Sequence, residues 1–211
     1  MRRPLLLLPL LALACALPGP LRRQADSDLA FARTLRGPDA SPLHRKLFGD
    51  SPLDGGLYEA FFKARVTHLR GAGVLTGCAD AIACHGAMKT VRLTERYADP
   101  RLPQIVRLSL LLHEARHSDD GSYDHFTCSS KLQGPDGRPL RSPYLDVEVG
   151  GLRACDEDPL GAYGVQIVML RNVQRFCETC EPEVKAEARR YADFLMNLVV
   201  SEEARRELAS D

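Results

Sequence analysis

The stretch Leu110-Leu111-Leu112-His113-Glu114-Ala115-Arg116-His117 decides how this chain is read. Two histidines four residues apart stack on one face of a helix. His113 and His117 can therefore aim two imidazole nitrogens at one metal ion. Glu114 lies about 100° further round the same helix. There it can reach a metal-activated water without being a ligand itself. The preceding residues Ile105, Val106, Leu108, Leu110, Leu111 and Leu112 are apolar almost all round, the pattern of a buried helix rather than a solvated one. Buried histidines need partners, and a metal ion suits this spacing. The expected cofactor is Zn2+, which lowers a water's pKa and polarises a carbonyl, and Glu114 is the expected general base.

Upstream of that helix the residues Lys89 to Tyr97 alternate: Val91, Leu93, Glu95 and Tyr97 on one face, Thr90, Arg92, Thr94 and Arg96 on the other. This predicts a strand. Asp99-Pro100 reads as the start of the motif helix, with Asp99 as N-cap, and the helix is expected to run to about Ser118 before Asp119-Asp120-Gly121 breaks it. Further upstream, Gly56 to Arg70 carries a stripe of Leu57, Phe61, Ala64 and His68, so a helix is expected there with Gly71 as its C-cap. His68 on that face reads as a structural histidine. Residues 38–55 are rich in Pro, Gly, Asp and Ser and read as loop, with His44 at the surface. Ser27 or Asp28 is expected to cap a short helix through Leu35, stopped by Gly37-Pro38. Downstream, 131–143 reads as loop, Tyr144 to Val149 as a short strand, and 160–177 and 182–208 as two helices.

The first residues are a targeting signal in pattern. Met1-Arg2-Arg3 is basic, Leu5 to Leu13 is apolar but too short to span a bilayer, and Ala12-Leu13-Ala14 is a cleavage signal. Residues 1–16 are expected to be a signal peptide, 17–27 a flexible connector, and 28–211 one domain. Cys15 directly after the cleavage signal allows a lipid anchor there. The expected location is outside the cytoplasm: periplasmic, outer-membrane lipoprotein or extracellular. No transmembrane helix is expected in the mature chain. With 28 basic and 28 acidic residues the net charge is zero, so nothing in the charge points to nucleic acid or an anionic membrane surface as the main partner, and no nucleic acid is expected. Six further cysteines allow 15 pairings. The local pairing is expected: Cys78 with Cys84, Cys128 with Cys155, and Cys177 with Cys180, since no second Cys-x-x-Cys supports a metal site and the compartment is oxidising.

The run His113-Glu114-Ala115-Arg116-His117-Ser118-Asp119, followed by His125-x-x-Cys128, Ala154-Cys155-Asp156 and Gly161-Ala162-Tyr163, resembles the zincin superfamily of zinc metallopeptidases, and within it secreted bacterial zincin-like proteins. The resemblance covers residues 78 to 170. It implies an α+β fold with a small sheet, an edge strand over the metal-binding helix, and a C-terminal helical part. The 89–97 strand would be that edge, able to add an extended substrate to the sheet. It also implies a peptide or protein substrate. A zinc-dependent amidase on cell-wall or small amides would use the same chemistry, and a non-catalytic zincin-fold binding protein would have no need of Glu114.

Two histidines do not complete a catalytic zinc site, which usually has three protein ligands and one water. The metzincin pattern requires Gly three and His six residues after His117. Here Gly121 follows at four and His125 at eight. His125 is the favoured third ligand, because the turn at Gly121 lets it fold back and Cys128 would fix it. Asp156 is the second candidate, and the first candidate for orienting a histidine from behind. Asp119 and Asp120 are a third option. Tyr163 is the expected hydrogen-bond donor to the developing oxyanion, with Arg116 as a substitute.

Overall fold

A computed structural model describes residues 16–73, 76–78, 81–119 and 123–211. The expected signal segment up to Cys15, and Asp120 and Gly121, lie outside the described residues. Helix α1 (Gly19–Ala32) occupies most of the stretch expected to be a flexible connector. Pro20 stands in its first turn, where a missing N–H costs no bond. Leu21, Ala25, Leu29 and Ala32 recur at helical spacing and are buried. Asp28 is therefore not a cap but an interior residue of this helix.

The 38–55 stretch is not all loop, because helix α2 (Pro42–Phe48) forms within it. The Ser41 side chain caps it by accepting from the His44 N–H. His44 is buried rather than at the surface. It sits 3.0 Å from the Tyr58 hydroxyl, with its ring 5.0 Å from that of Phe48. Helix α3 (Gly55–Arg65), capped by Asp54, ends earlier than the apolar stripe suggests. Val66 is extended, and His68–Gly71 forms strand β1. His68 is exposed on that strand, so it is neither core nor ligand.

Strands β2 (Ala83–Gly86) and β3 (Thr90–Leu93) complete a three-stranded sheet in the order β1-β3-β2. β1 runs parallel to β3 with Leu69 opposite Val91, and β2 runs antiparallel with His85 opposite Val91. Met88 and Lys89 both have positive φ in the β2–β3 turn, as a tight hairpin requires. The strand expected at the edge is thus the central one, and it is shorter than expected. Val91 and Leu93 are fully buried between neighbours, and Glu95–Ala98 turns into a 3-10 helix. The edge that packs over the motif helix is β2.

Helix α4 (Gln104–Arg116) carries the motif. It starts later than Asp99-Pro100 suggests, because Asp99 closes a turn by accepting from the Arg101 N–H, and Pro103 is the N-cap. Leu108, Leu111 and Leu112 are fully buried against α1, α3 and the later helix α5 (Ala162–Phe176). Each such side chain contributes about 1.5–3 kcal/mol relative to exposure. Between α4 and α5 lies a two-stranded ribbon, β4 (Phe126–Thr127) with β5 (Arg153–Cys155). The stretch 144–149 forms no strand, only an isolated bridge between Arg141 and Glu148.

The single helix expected over 182–208 is two, α6 (Pro182–Leu195) and α7 (Glu202–Ser210). Leu198 and Val200 leave helical geometry to bond the Asp156 backbone on both sides, at 2.9 and 2.8 Å. Ser201 then caps the restart by accepting from the Ala204 N–H. The three local cysteine pairs form disulfides: Cys78–Cys84, Cys128–Cys155 and Cys177–Cys180. The fold is mixed α+β with small sheets, and no helix of the described residues is long and apolar enough to cross a membrane.

Candidate metal centre

His113 lies in the last turn of α4, His117 is its C-cap, and His125 comes just before β4. Their ring nitrogens converge. His113 Nε2 is 3.2 Å from His117 Nε2 and 2.9 Å from His125 Nε2. One ligand atom from each lies within 4.8 Å of the others. A tetrahedral zinc with bonds of about 2.0–2.1 Å would hold its nitrogens about 3.3 Å apart, so the spacing suits such an ion.

What lies behind each ring decides which nitrogen faces inward. His125 Nδ1–H donates to Asp156 Oδ1 at 2.6 Å, which turns its Nε2 toward the other two rings. The far Nδ1 atoms of His113 and His117 are buried and lack a well-formed hydrogen bond among the described residues. The Gln166 side chain and the Ala162 backbone face His113, and the Tyr123 backbone faces His117. Three lone pairs at this separation repel one another unless a cation or protons stand between them. Burial, then the neighbouring imidazoles, holds His113 well below the ordinary imidazole range, and the same causes push His117 down to about 4. Positive charge on these two imidazoles is therefore disfavoured at neutral pH, and three neutral rings at this spacing suit a metal ion.

The carboxylates divide into two roles. Asp156 holds His125 from behind and accepts from the Tyr163 N–H at 3.0 Å. It is a partner of the third histidine, not a member of the converging set. Gly161 permits this, since a Cβ there would lie 2.9 Å from Asp156 Oδ2. Asp119 is turned away, paired at 2.7 Å with both Arg65 and Arg116. Arg116 is correspondingly occupied: it also donates to the Leu160 carbonyl and lies over the Tyr123 ring. It is not free to hold an oxyanion. The Cys128–Cys155 disulfide ties the segment of His125 to that of Asp156, and Arg153 donates twice to the His125 carbonyl.

Glu114 is buried beside the cluster, and burial raises its carboxyl to about 8 against a hydrogen bond from the His85 backbone. A cation in the cluster would draw it back down. Tyr163, in the first turn of α5, stacks on His125 with centroids 4.6 Å apart and 20° between planes, and lies 4.7 Å from His113. Burial keeps its hydroxyl protonated, well above the ordinary tyrosine range.

His113, Glu114, His117, His125 and Tyr163 all line one open cleft of about 790 Å³. The β2 edge forms one wall, the 142–154 segment and α6 the other, the latter with Tyr191, Phe194 and Leu195. One lining residue had no signal in the sequence. His85 sits on β2 with its ring 6.1 Å from that of His117, and its Nε2 is buried without a partner among the described residues. Nothing in its local pattern, a histidine next to a cysteine in a four-residue strand, distinguishes it from a surface residue. No family model, curated protein or solved structure matches this chain. The geometry of the site alone carries the functional reading.

Proposed function

We propose that the chain is an exported zinc-dependent metallopeptidase of zincin type, with Glu114 as its general base. The observation that carries this reading is the convergence of three histidine ring nitrogens beside a buried glutamate in one cleft. Three protein ligands with an open fourth position are the donor set of catalytic rather than structural zinc. Zinc held there would lower a water's pKa and polarise a carbonyl. Glu114, which faces the His85 backbone N–H, takes the proton of the attacking water and passes it to the leaving nitrogen. Tyr163 keeps its proton and can donate it in a hydrogen bond to the carbonyl oxygen as charge builds there.

Two further observations support a peptide substrate over a small amide. β2 pairs with β3 on one side only among the described residues, and its other side opens on the cleft. An extended chain can add to such an edge through backbone hydrogen bonds. The cleft, of about 790 Å³, is also lined by apolar side chains such as Leu145, Val147 and Phe194, against which substrate side chains can pack. The three disulfides agree with an oxidising, exported location. A pure binding module would have no use for Glu114 beside the cluster.

Digestion of a denatured-protein mixture, with and without chelator, tests the reading. The chain should cleave it only without chelator. Glu114→Gln should keep its zinc and lose ~10²–10⁴ in rate. A variant as active as the parent, or digestion indifferent to chelator, would contradict the proposal.

A further inference from the structure

The histidine cluster has two flanks. Tyr163 covers one, against His125 and His113. His85 stands on the other, beside His117. It is outside the converging set of His113, His117 and His125, yet it lines the same cleft. Its Nε2 is buried with no hydrogen-bond partner among the described residues. A buried polar atom left unpaired at a cleft wall is explained when a ligand supplies the partner. The same residue's backbone N–H faces the Glu114 carboxyl.

A trans peptide bond is planar, with its C=O and N–H pointing in opposite directions. A substrate whose carbonyl oxygen turns toward Tyr163 therefore presents its N–H toward the His117 flank. Resting on the peptidase reading above, we propose that His85 is a catalytic residue whose Nε2 accepts a hydrogen bond from the N–H of the scissile peptide bond. The substrate class is then a secondary amide, recognised by the one atom that an ester lacks. Water adds to the carbonyl carbon, the C–N bond breaks, and its electron pair stays on nitrogen. The proton that Glu114 took from the water completes the amine. His85 gives and takes no proton; it fixes the orientation of the nitrogen's hydrogen so that the emerging lone pair faces Glu114. One residue thus faces both partners of the last proton transfer, the base with its backbone N–H and the leaving group with its ring.

The test compares a fluorogenic peptide that the parent cleaves with its depsipeptide twin, in which an ester oxygen replaces the scissile N–H. Values of kcat/KM are measured for the parent, His85→Ala and His85→Gln, with zinc per chain for each. His85→Ala should lose about tenfold or more on the amide, the size of one hydrogen bond, and less than about threefold on the ester, where that bond is never made. His85→Gln, which keeps an acceptor oxygen, should recover part of the amide rate, and all three should hold the same zinc. Equal losses on amide and ester would overturn the proposal. So would loss of zinc from His85→Ala, which would make His85 a ligand. The peptidase reading fails separately, if Glu114→Gln cleaves the amide as fast as the parent. A parent that cleaves no member of a fluorogenic peptide library, from which that peptide would be drawn, would overturn both.

Discussion

Two buried aspartates, Asp28 and Asp156, each hold a basic side chain from a distant part of the chain, and they do opposite things with it. Asp28 is saturated. It accepts from Tyr97 at 2.7 Å, from Arg107 at 2.9 and 3.1 Å, and from Gln24 at 3.2 Å. Arg107 spends its remaining reach on the Leu102 carbonyl. That network is closed, and it locks α1, α4 and the 3-10 turn together. Asp156 holds His125 by one nitrogen and leaves the other exposed to two more bare nitrogens. The first arrangement answers every polar atom and so has nothing left for a ligand. The second is complete only when something is added. The difference separates a closed structural network from a cluster that could hold a cation.

The comparison breaks most visibly at Asp28. Asp28→Ala leaves Arg107 buried without its counter-charge, and such losses cost about 3–5 kcal/mol. Denaturant unfolding should show that loss, while the zinc affinity of the folded fraction stays that of the parent. A variant that unfolds normally but binds zinc poorly would merge the two regions that are separated here.

His44 extends the comparison to an intermediate case. One of its nitrogens meets Tyr58 and the other is buried without a partner, but no second nitrogen converges on it. Burial pushes this imidazole down to about 4. The unfolded chain takes up the proton near pH 6.5 and the folded chain does not until about 4, so the neutral group's contribution is fully present above 6.5 and is lost as pH falls toward 4. That loss is of order 3 kcal/mol. In the presence of chelator, His44→Leu should unfold with a weaker pH dependence across this window than the parent. An unchanged slope would place the acid sensitivity elsewhere.

The smallest of these effects sharpens the other side. Asp156→Asn keeps the shape and one acceptor oxygen but removes the charge behind His125. Zinc affinity should fall by about 10–100-fold, as for other groups that orient a metal ligand from behind. A loss far beyond that would make Asp156 itself a ligand.

The motif helix is plain in the sequence, because an apolar run ending in two histidines at helical spacing is a local signal. The local disulfides were readable for the same reason, and His125 and Asp156 followed from the cysteines beside them. The elements that escaped are those set by distant contacts. The pattern Leu21, Ala25, Leu29, Ala32 was present in α1, but Asp28 on that face reads as a polar break until Arg107 and Tyr97 satisfy it. β1 and β2 are four residues each, too short for alternation to register. Their pairing with β3 is what made an expected edge strand central. The break after Leu195 depends on Asp156, whose backbone captures Leu198 and Val200. His85 entered the site through that same sheet, and no spacing rule connects it to His117.

Three histidine nitrogens converge at the spacing a cation would need, and zinc binding measures that directly. Chelator-stripped parent chain should take up about one zinc per chain, and His125→Ala should weaken that binding by well more than the 10–100-fold expected at Asp156. A parent chain that takes up no zinc, or a His125→Ala variant that binds it as tightly as the parent, would contradict the account.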